Sequence, residues 1–212
     1  MSSAPRTNDD VWLVVPLFNE ETVIADVVRD ARHTFPNIVV VDDGSSDHGA
    51  DAAASAGAVV VRHPVNLGQG AALQTGFEYS LGVTSMRWVV TFDSDGQHQV
   101  SDVLAMLDKA RAEDLKVVFG SRFLDDRTSP SFMKKVVLRL AVGYTNLTTG
   151  TKLTDAHNGL RLIHRDVVER IDITQNRMAH ASEIVAQIGE MKVRYGESPV
   201  HILYTDYSKS KG

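Results

Sequence analysis

The chain has 212 residues, enough for one sizeable hydrophobic core, and nothing in that length asks for a second domain. Hydrophobic residues at 43% and charged residues at 23% exclude a disordered or fibrous chain. A formal net charge of -5 offers nucleic acid no general attraction, so no nucleic-acid partner is expected, and the absence of cysteine excludes disulfides and thiolate metal sites.

Residues 1–10, "MSSAPRTNDD", form a polar tail without the apolar stretch of a signal peptide, and no segment of the chain is long and apolar enough to span a bilayer. From there, short β-rich apolar runs alternate with stretches of helical spacing. The runs are Val11–Val15, Ile38–Val41, Val59–Val61, Trp88–Phe92 and Val117–Phe119; the helical stretches are Glu21–His33, Asp47–Ala56, Gln69–Leu81 and Ser101–Arg111. This alternation predicts an α/β fold, a mostly parallel sheet flanked by crossover helices. After a polar and basic stretch the rhythm resumes with Leu160–Ile163, a helix at Ser182–Met191 and a last strand at Val200–Tyr204. No repeat or linker divides residues 11–212, which read as one domain.

Ligands of an open parallel sheet bind beyond the carboxyl ends of its strands, and there the sequence is biased. The first strand is followed by Pro16-Leu17-Phe18-Asn19-Glu20, the second by Asp42-Asp43-Gly44-Ser45-Ser46-Asp47, the third by His63 through Gly70, and the fourth by Asp93-Ser94-Asp95-Gly96-Gln97-His98. Taken singly, Ser46 or Asp47 reads equally well as a helix cap, and "NLGQG" as a turn. Gly68 and Gly70 lack the third glycine of a dinucleotide fingerprint.

The pair Asp93 and Asp95 is different in kind. Carboxylates so close oppose each other's ionisation, and "VVTFDSDGQHQV" contains no Lys or Arg to neutralise them. A hard cation is the simplest partner. Mg2+ and Mn2+ bind through one or two carboxylates plus substrate phosphates and keep other positions for water. Gln97 and His98 are candidates to complete such a shell.

In this order, "VVPLFNEE", "VVVDDGSSD", "NLGQGAAL", "TFDSDGQHQ", "VFGSRF" and "TDAHNGLRL" resemble glycosyltransferase family 2, and within it the branch of dolichyl-phosphate mannose synthase and bacterial polyprenyl-phosphate glycosyltransferases. The resemblance runs from about Val11 to Lys211. It implies a GT-A fold, inverting transfer from a nucleoside-diphosphate sugar carrying UDP, GDP or dTDP, and Mg2+ or Mn2+ at the Asp-x-Asp. By the same resemblance Pro16, Asn19 and Glu20 line the nucleotide pocket, with Asp42 near the base or ribose and Asp43 close by. Asn66, Gly70 and Ser94 join them as donor-binding positions. Asp93 and Asp95 hold the metal with Gln97 beside it, Arg122 and Lys211 face the phosphates, and Asp155 and Arg161 sit at the sugar and acceptor. The sequence departs from the branch at Gln99 and Val100, where proline is frequent, and at Gln69, where a basic residue is frequent.

The resemblance points to a polyprenyl phosphate as acceptor, with a saccharide hydroxyl as the alternative and a sugar nucleotidyltransferase as a more distant one. A hydroxyl must lose its proton as it attacks and would use Asp155 as base; a phosphate monoester, with a second pKa of about 6, is already ionised. Residues 131–147, "SFMKKVVLRLAVGYTNL", mix apolar residues with Lys134, Lys135 and Arg139, the composition of an amphipathic helix at a membrane surface. A cytoplasmic protein, peripheral at the membrane's cytoplasmic face, is expected.

Overall fold

The computed structural model describes residues 8–124, 146, 149–175 and 179–203. Lys211 and the 131–147 stretch other than Asn146 lie outside the described residues. Asn8 is already part of the fold: it is buried, and its Nδ2 donates to the Thr34 carbonyl at 3.2 Å.

Seven strands form one sheet: β1 (Val11–Leu17), β2 (Asn37–Asp42), β3 (Val59–Arg62), β4 (Trp88–Thr91), β5 (Val117–Ser121), β6 (Arg161–His164) and β7 (Tyr195–Pro199). Their spatial order is β3-β2-β1-β4-β6-β5-β7. All seven residues of β1, "VWLVVPL", are buried, as a central strand covered on both faces requires. Alternate side chains serve two cores. Leu13 and Val15 pack with Ile24 and Val28 of α1 (Glu21–Arg32) and Val103 and Leu107 of α4 (Val100–Glu113). Trp12 and Val14 face Leu73 and Phe77 of α3 (Gln69–Leu81) and the group that includes Ile184 and Ile188 of α6 (Ala179–Met191). Two short helices complete the described elements, α2 (Gly49–Ser55) and α5 (Arg165–Val168).

β1 to β4 run parallel, β6 runs antiparallel between β4 and β5, and β7 is parallel to β5. The reversal of β6 positions the site. Because β6 points the other way, the segment entering it, residues 154–160, arrives at the same edge as the loops leaving β1, β2, β4 and β5. Every motif after a strand end therefore meets "TDAHNGLR" on one side of the sheet.

The last strand lies five residues before its expected place at Val200–Tyr204. Its sequence, "YGESP", carries little strand propensity, but at the sheet edge Gly196 and Pro199 are tolerated, and a Cβ on Gly196 would lie 2.7 Å from Leu115 Cδ1. Val200 instead buries its side chain against Gly120. α6 begins three residues ahead of the expected Ser182, and α5 has no counterpart among the elements the sequence predicts.

Candidate active site

The loops after β1 and β2 are built as one unit. Asn19 adopts a left-handed backbone (φ 54°), a conformation that asparagine tolerates better than most residues. Its Oδ1 accepts from the Ser46 amide at 2.9 Å, and its own amide donates to Ser45 Oγ at 3.0 Å. Asp42 Oδ1 accepts from the Ser45 amide at 3.0 Å. Asp47 accepts from the amides of Glu21 and Gly49, capping α1 and α2 together.

Asp43 and His63 extend this unit to the third loop. Asp43 Oδ1 accepts from His63 Nδ1 at 2.8 Å and the Leu67 amide at 2.9 Å, while Oδ2 accepts from the Gly68 amide at 2.7 Å. His63 Nε2 reaches Thr75 Oγ1 of α3 at 2.9 Å. Gly44 (φ 74°) passes so close to the same loop that a Cβ would lie 2.7 Å from the Asn66 nitrogen. Nothing in the sequence marks His63 beyond its place after a strand.

Between these loops and the β4 turn lies a cleft of about 440 Å³. Of the expected donor-binding residues, Pro16, Glu20, Asp43, Asn66, Asp93, Ser94 and Asp95 line it, together with Phe18 and Gln69. Asn19, Asp42, Gly70 and Gln97 are not among its lining residues. Asn19 and Asp42 brace the turns, as above. Gly70 is a packing position: a Cβ there would come 2.3 Å from the Gln175 carbonyl oxygen and 3.0 Å from His180 Cβ. Gln97 acts through its backbone, its amide donating to Asp95 Oδ1 and its carbonyl accepting from the Leu203 amide, both at 3.0 Å.

Asp93 and Asp95 both face this cleft. Burial first, and then repulsion from Asp93 and Glu20, push the Asp95 carboxyl above its ordinary range, against the amide of Gln97. His98 stands behind Asp93. Its Nδ1 accepts from the Asp93 amide at 3.1 Å, which leaves Nε2–H to face Asp93 Oδ2 at 3.3 Å. The ring is buried edge-on against Phe92, so His98 orients a carboxylate from inside the fold. Asp93 also lies against Gly159, where a Cβ would meet its Oδ2 at 2.8 Å.

This donor chemistry fits a hard divalent cation. Among the described residues no three His, Cys, Asp or Glu converge as metal ligands, so two carboxylates would be joined by water and phosphate oxygens, the arrangement in which Mg2+ usually binds.

Across the sheet edge, Arg122 donates to Asp155 three times: its amide and Nε to Oδ2 at 3.2 and 2.7 Å, and Nη2 to Oδ1 at 2.9 Å. Arg161 lies deeper, 1% exposed, at the start of β6. Its Nε and Nη2 have no hydrogen-bond partner among the described residues, and burial, partly offset by Asp93 and Asp155, lowers its pKa to about 10. It is a buried charge between the metal-type pair and the Arg122–Asp155 pair. Lys211 lies outside the described residues.

The family model of glycosyl transferase family 2 matches residues 12–172. The UDP-N-acetylglucosamine–dolichyl-phosphate N-acetylglucosaminyltransferase of Methanococcus voltae is 28% identical over 95% of this chain and 89% of its own. The polyprenol monophosphomannose synthase of Mycolicibacterium smegmatis is 30% identical over 80% of this chain and 67% of its own. Among solved structures, the glucosyl-3-phosphoglycerate synthase of Mycobacterium tuberculosis, in complex with Mn2+, UDP and phosphoglyceric acid, superposes with a TM-score of 0.69 at 17% identity, covering 96% of this chain and 74% of that one. The family match spans the donor loops, the acidic pair and the Asp155 turn, and the neighbours share the sheet that brings them to one edge. The chain belongs to glycosyl transferase family 2 and is a glycosyltransferase with a GT-A fold.

Proposed function

We propose that this glycosyltransferase moves a hexose, with inversion at the anomeric carbon, from a nucleoside-diphosphate sugar to a polyprenyl phosphate at the cytoplasmic face of a membrane. The observation that carries the acceptor class is the state of Asp155. Its side chain is 1% exposed, and Arg122 holds both of its oxygens. A carboxylate held in this way is badly placed to take a proton from an incoming hydroxyl. A phosphate monoester, ionised at neutral pH, needs no such base.

In this reading the donor nucleotide lies in the cleft between the β1, β2 and β3 loops and the β4 turn. Asp93 and Asp95 would hold Mg2+ or Mn2+, which when bound supplies positive charge to the departing diphosphate. Asp93 is oriented for this by His98, and Asp95 by the Gln97 amide. Asp155 fixes the plane of the Arg122 guanidinium, so that its exposed part, 29% of the side chain, offers a preset cation to phosphate oxygens. The acceptor oxygen attacks the anomeric carbon as the bond to the donor phosphate breaks. The dolichyl-phosphate and polyprenol substrates in the relatives' names support the lipid acceptor. Among the described residues no helix is long and apolar enough to cross a membrane, and attachment through residues 131–147 is part of the proposal.

The test is a screen of UDP-, GDP- and dTDP-hexoses with Mn2+ or Mg2+ for thermal stabilisation, followed by incubation of the best donor with farnesyl phosphate in micelles. An acid-labile sugar on the lipid phosphate is expected. Transfer to soluble saccharides alone would overturn the acceptor assignment.

A further inference from the structure

Glu197 on β7 is a half-buried carboxylate that none of the motifs above includes. Its Oε1 accepts from the Thr154 amide at 2.8 Å, Thr154 Oγ1 at 2.9 Å and the Asp155 amide at 3.2 Å. Thr154 Oγ1 spends its one proton on Glu197, so at its 2.6 Å contact with Ser121 Oγ the serine must be the donor. Ser121 Oγ in turn accepts from the Phe123 amide at 3.2 Å. The polarity is consistent from end to end: Phe123 N–H to Ser121, Ser121 O–H to Thr154, Thr154 O–H to Glu197.

This chain of hydrogen bonds straddles Arg122 and Asp155. Arg122 lies between Ser121 and Phe123, whose turn is tied at one end of the chain, and Asp155 follows Thr154 and has its own amide on Glu197. Two turns 33 residues apart in sequence are thereby joined twice, once through the Arg122–Asp155 pair and once through the Ser121–Thr154–Glu197 chain. The register of the sheet supplies the geometry, since Phe119 on β5 pairs with Glu197 on β7 and Ser121 with Pro199.

We propose that Glu197 is a positioning residue for transfer: it sets the Thr154–Asp155 turn, and through it the orientation of the Arg122 guanidinium toward the phosphates. This rests on the role given to Arg122 in the preceding section. A carboxylate suits the task because it is an acceptor only, and its charge strengthens the bonds from the two amides and the hydroxyl. Glu197→Gln keeps an acceptor oxygen with a lower capacity, whereas Glu197→Ala leaves the Thr154 and Asp155 amides without it.

The experiment measures kcat and donor KM with farnesyl phosphate as acceptor, the Mn2+-dependent affinity for UDP (or for GDP or dTDP, should the donor screen select that base) by calorimetry, and the Arg122 Nε–H signal by 15N-correlated NMR. For Glu197→Ala, kcat should fall by about tenfold or more, as displacements of catalytic groups do, while donor KM and UDP–Mn2+ affinity stay within about threefold. The Arg122 Nε–H signal should lose its protection from exchange. Glu197→Gln should recover most of kcat and of the signal. Thr154→Val, which cuts the chain but leaves the carboxylate, should show the same split at smaller size and serves if Glu197→Ala does not fold.

Wild-type kcat together with a wild-type Arg122 signal in Glu197→Ala, or in Thr154→Val should the alanine variant not fold, would overturn the proposal. A parallel loss of kcat and UDP–Mn2+ affinity would overturn it too, since that is what general loosening of the fold gives. Asp155→Asn separates this inference from the functional reading. If Asp155→Asn loses kcat and Glu197→Ala does not, only the role of Glu197 fails. If Asp155→Asn is fully active, or farnesyl phosphate is no acceptor, the functional reading fails, and the NMR signal still decides whether Glu197 positions Arg122.

Discussion

Arg122 and Asp155 form a two-point ion pair in which the carboxylate is buried and the guanidinium is partly open: the Asp155 side chain is 1% exposed and that of Arg122 29%. Such asymmetry lets the acid serve as a fixed support for a cation that still reaches the site. An ammonium cannot reproduce the two parallel N–H···O bonds. Arg122→Lys should therefore lower kcat by about tenfold to a hundredfold with little change in donor affinity. Steady-state kinetics beside UDP–Mn2+ calorimetry checks this; unchanged kcat would remove Arg122 from the phosphate site.

Asp95 gives a stability prediction with a definite sign. Burial and its acidic neighbours raise its carboxyl pKa in the fold, so ionised Asp95 opposes folding. The folded state holds its proton more tightly than the unfolded chain does, so the stability from this group is present in acid and lost as pH rises through the raised pKa. Without metal at pH 7, Asp95→Asn should thus raise the thermal midpoint, by about 2–4 °C for each kcal/mol relieved. It should also abolish the stabilisation expected in the wild type from Mn2+ with the nucleoside diphosphate of the best donor, and turnover with it. Calorimetric scans with and without Mn2+ test this, and a variant less stable than metal-free wild type would contradict it.

Asp42 and Asp43 are adjacent but should behave differently. Asp43→Ala frees the amides of Leu67 and Gly68 and the His63 ring, and each buried group left unsatisfied costs about 1–3 kcal/mol. The loop that carries Asn66 to the cleft should loosen, weakening UDP binding. Asp42→Ala loses one bond to the Ser45 amide, about 1 kcal/mol, and should leave UDP affinity nearly intact. Denaturant titration and UDP–Mn2+ calorimetry on both variants separate the two roles.

Gly70→Ala tests whether that glycine serves the donor or the core. The new methyl would press on the Gln175 carbonyl, and forced overpacking typically costs about 1–3 kcal/mol. Stability should fall by that order in chemical denaturation, with UDP affinity preserved at temperatures where the variant is folded.

The parallel half of the sheet was legible because β1, β2 and β4 are continuous apolar runs, which few other settings accommodate. β7 was not, since edge pairing to β5 and not its own composition makes "YGESP" a strand. The acidic pair could be read from its missing counter-charge, and the Asp155 turn from its motif. What the sequence could not reveal was the division of labour among polar residues. Asp42 and Asp43 look alike in sequence, yet one closes a local turn and the other clamps a loop more than twenty residues away. Glu197 touches Asp155 only because β7 lies beside β5, a relation set by long-range pairing.

The acceptor is tested most directly by the pH–rate profile of wild type and Asp155→Asn with farnesyl phosphate and a soluble saccharide offered together. Sugar is expected on the lipid phosphate, with the Asp155→Asn variant slowed at every pH and the shape of its profile unchanged. Transfer to the saccharide, with a rate that rises through a carboxylate pKa in the wild type and loses that rise in Asp155→Asn, would contradict this.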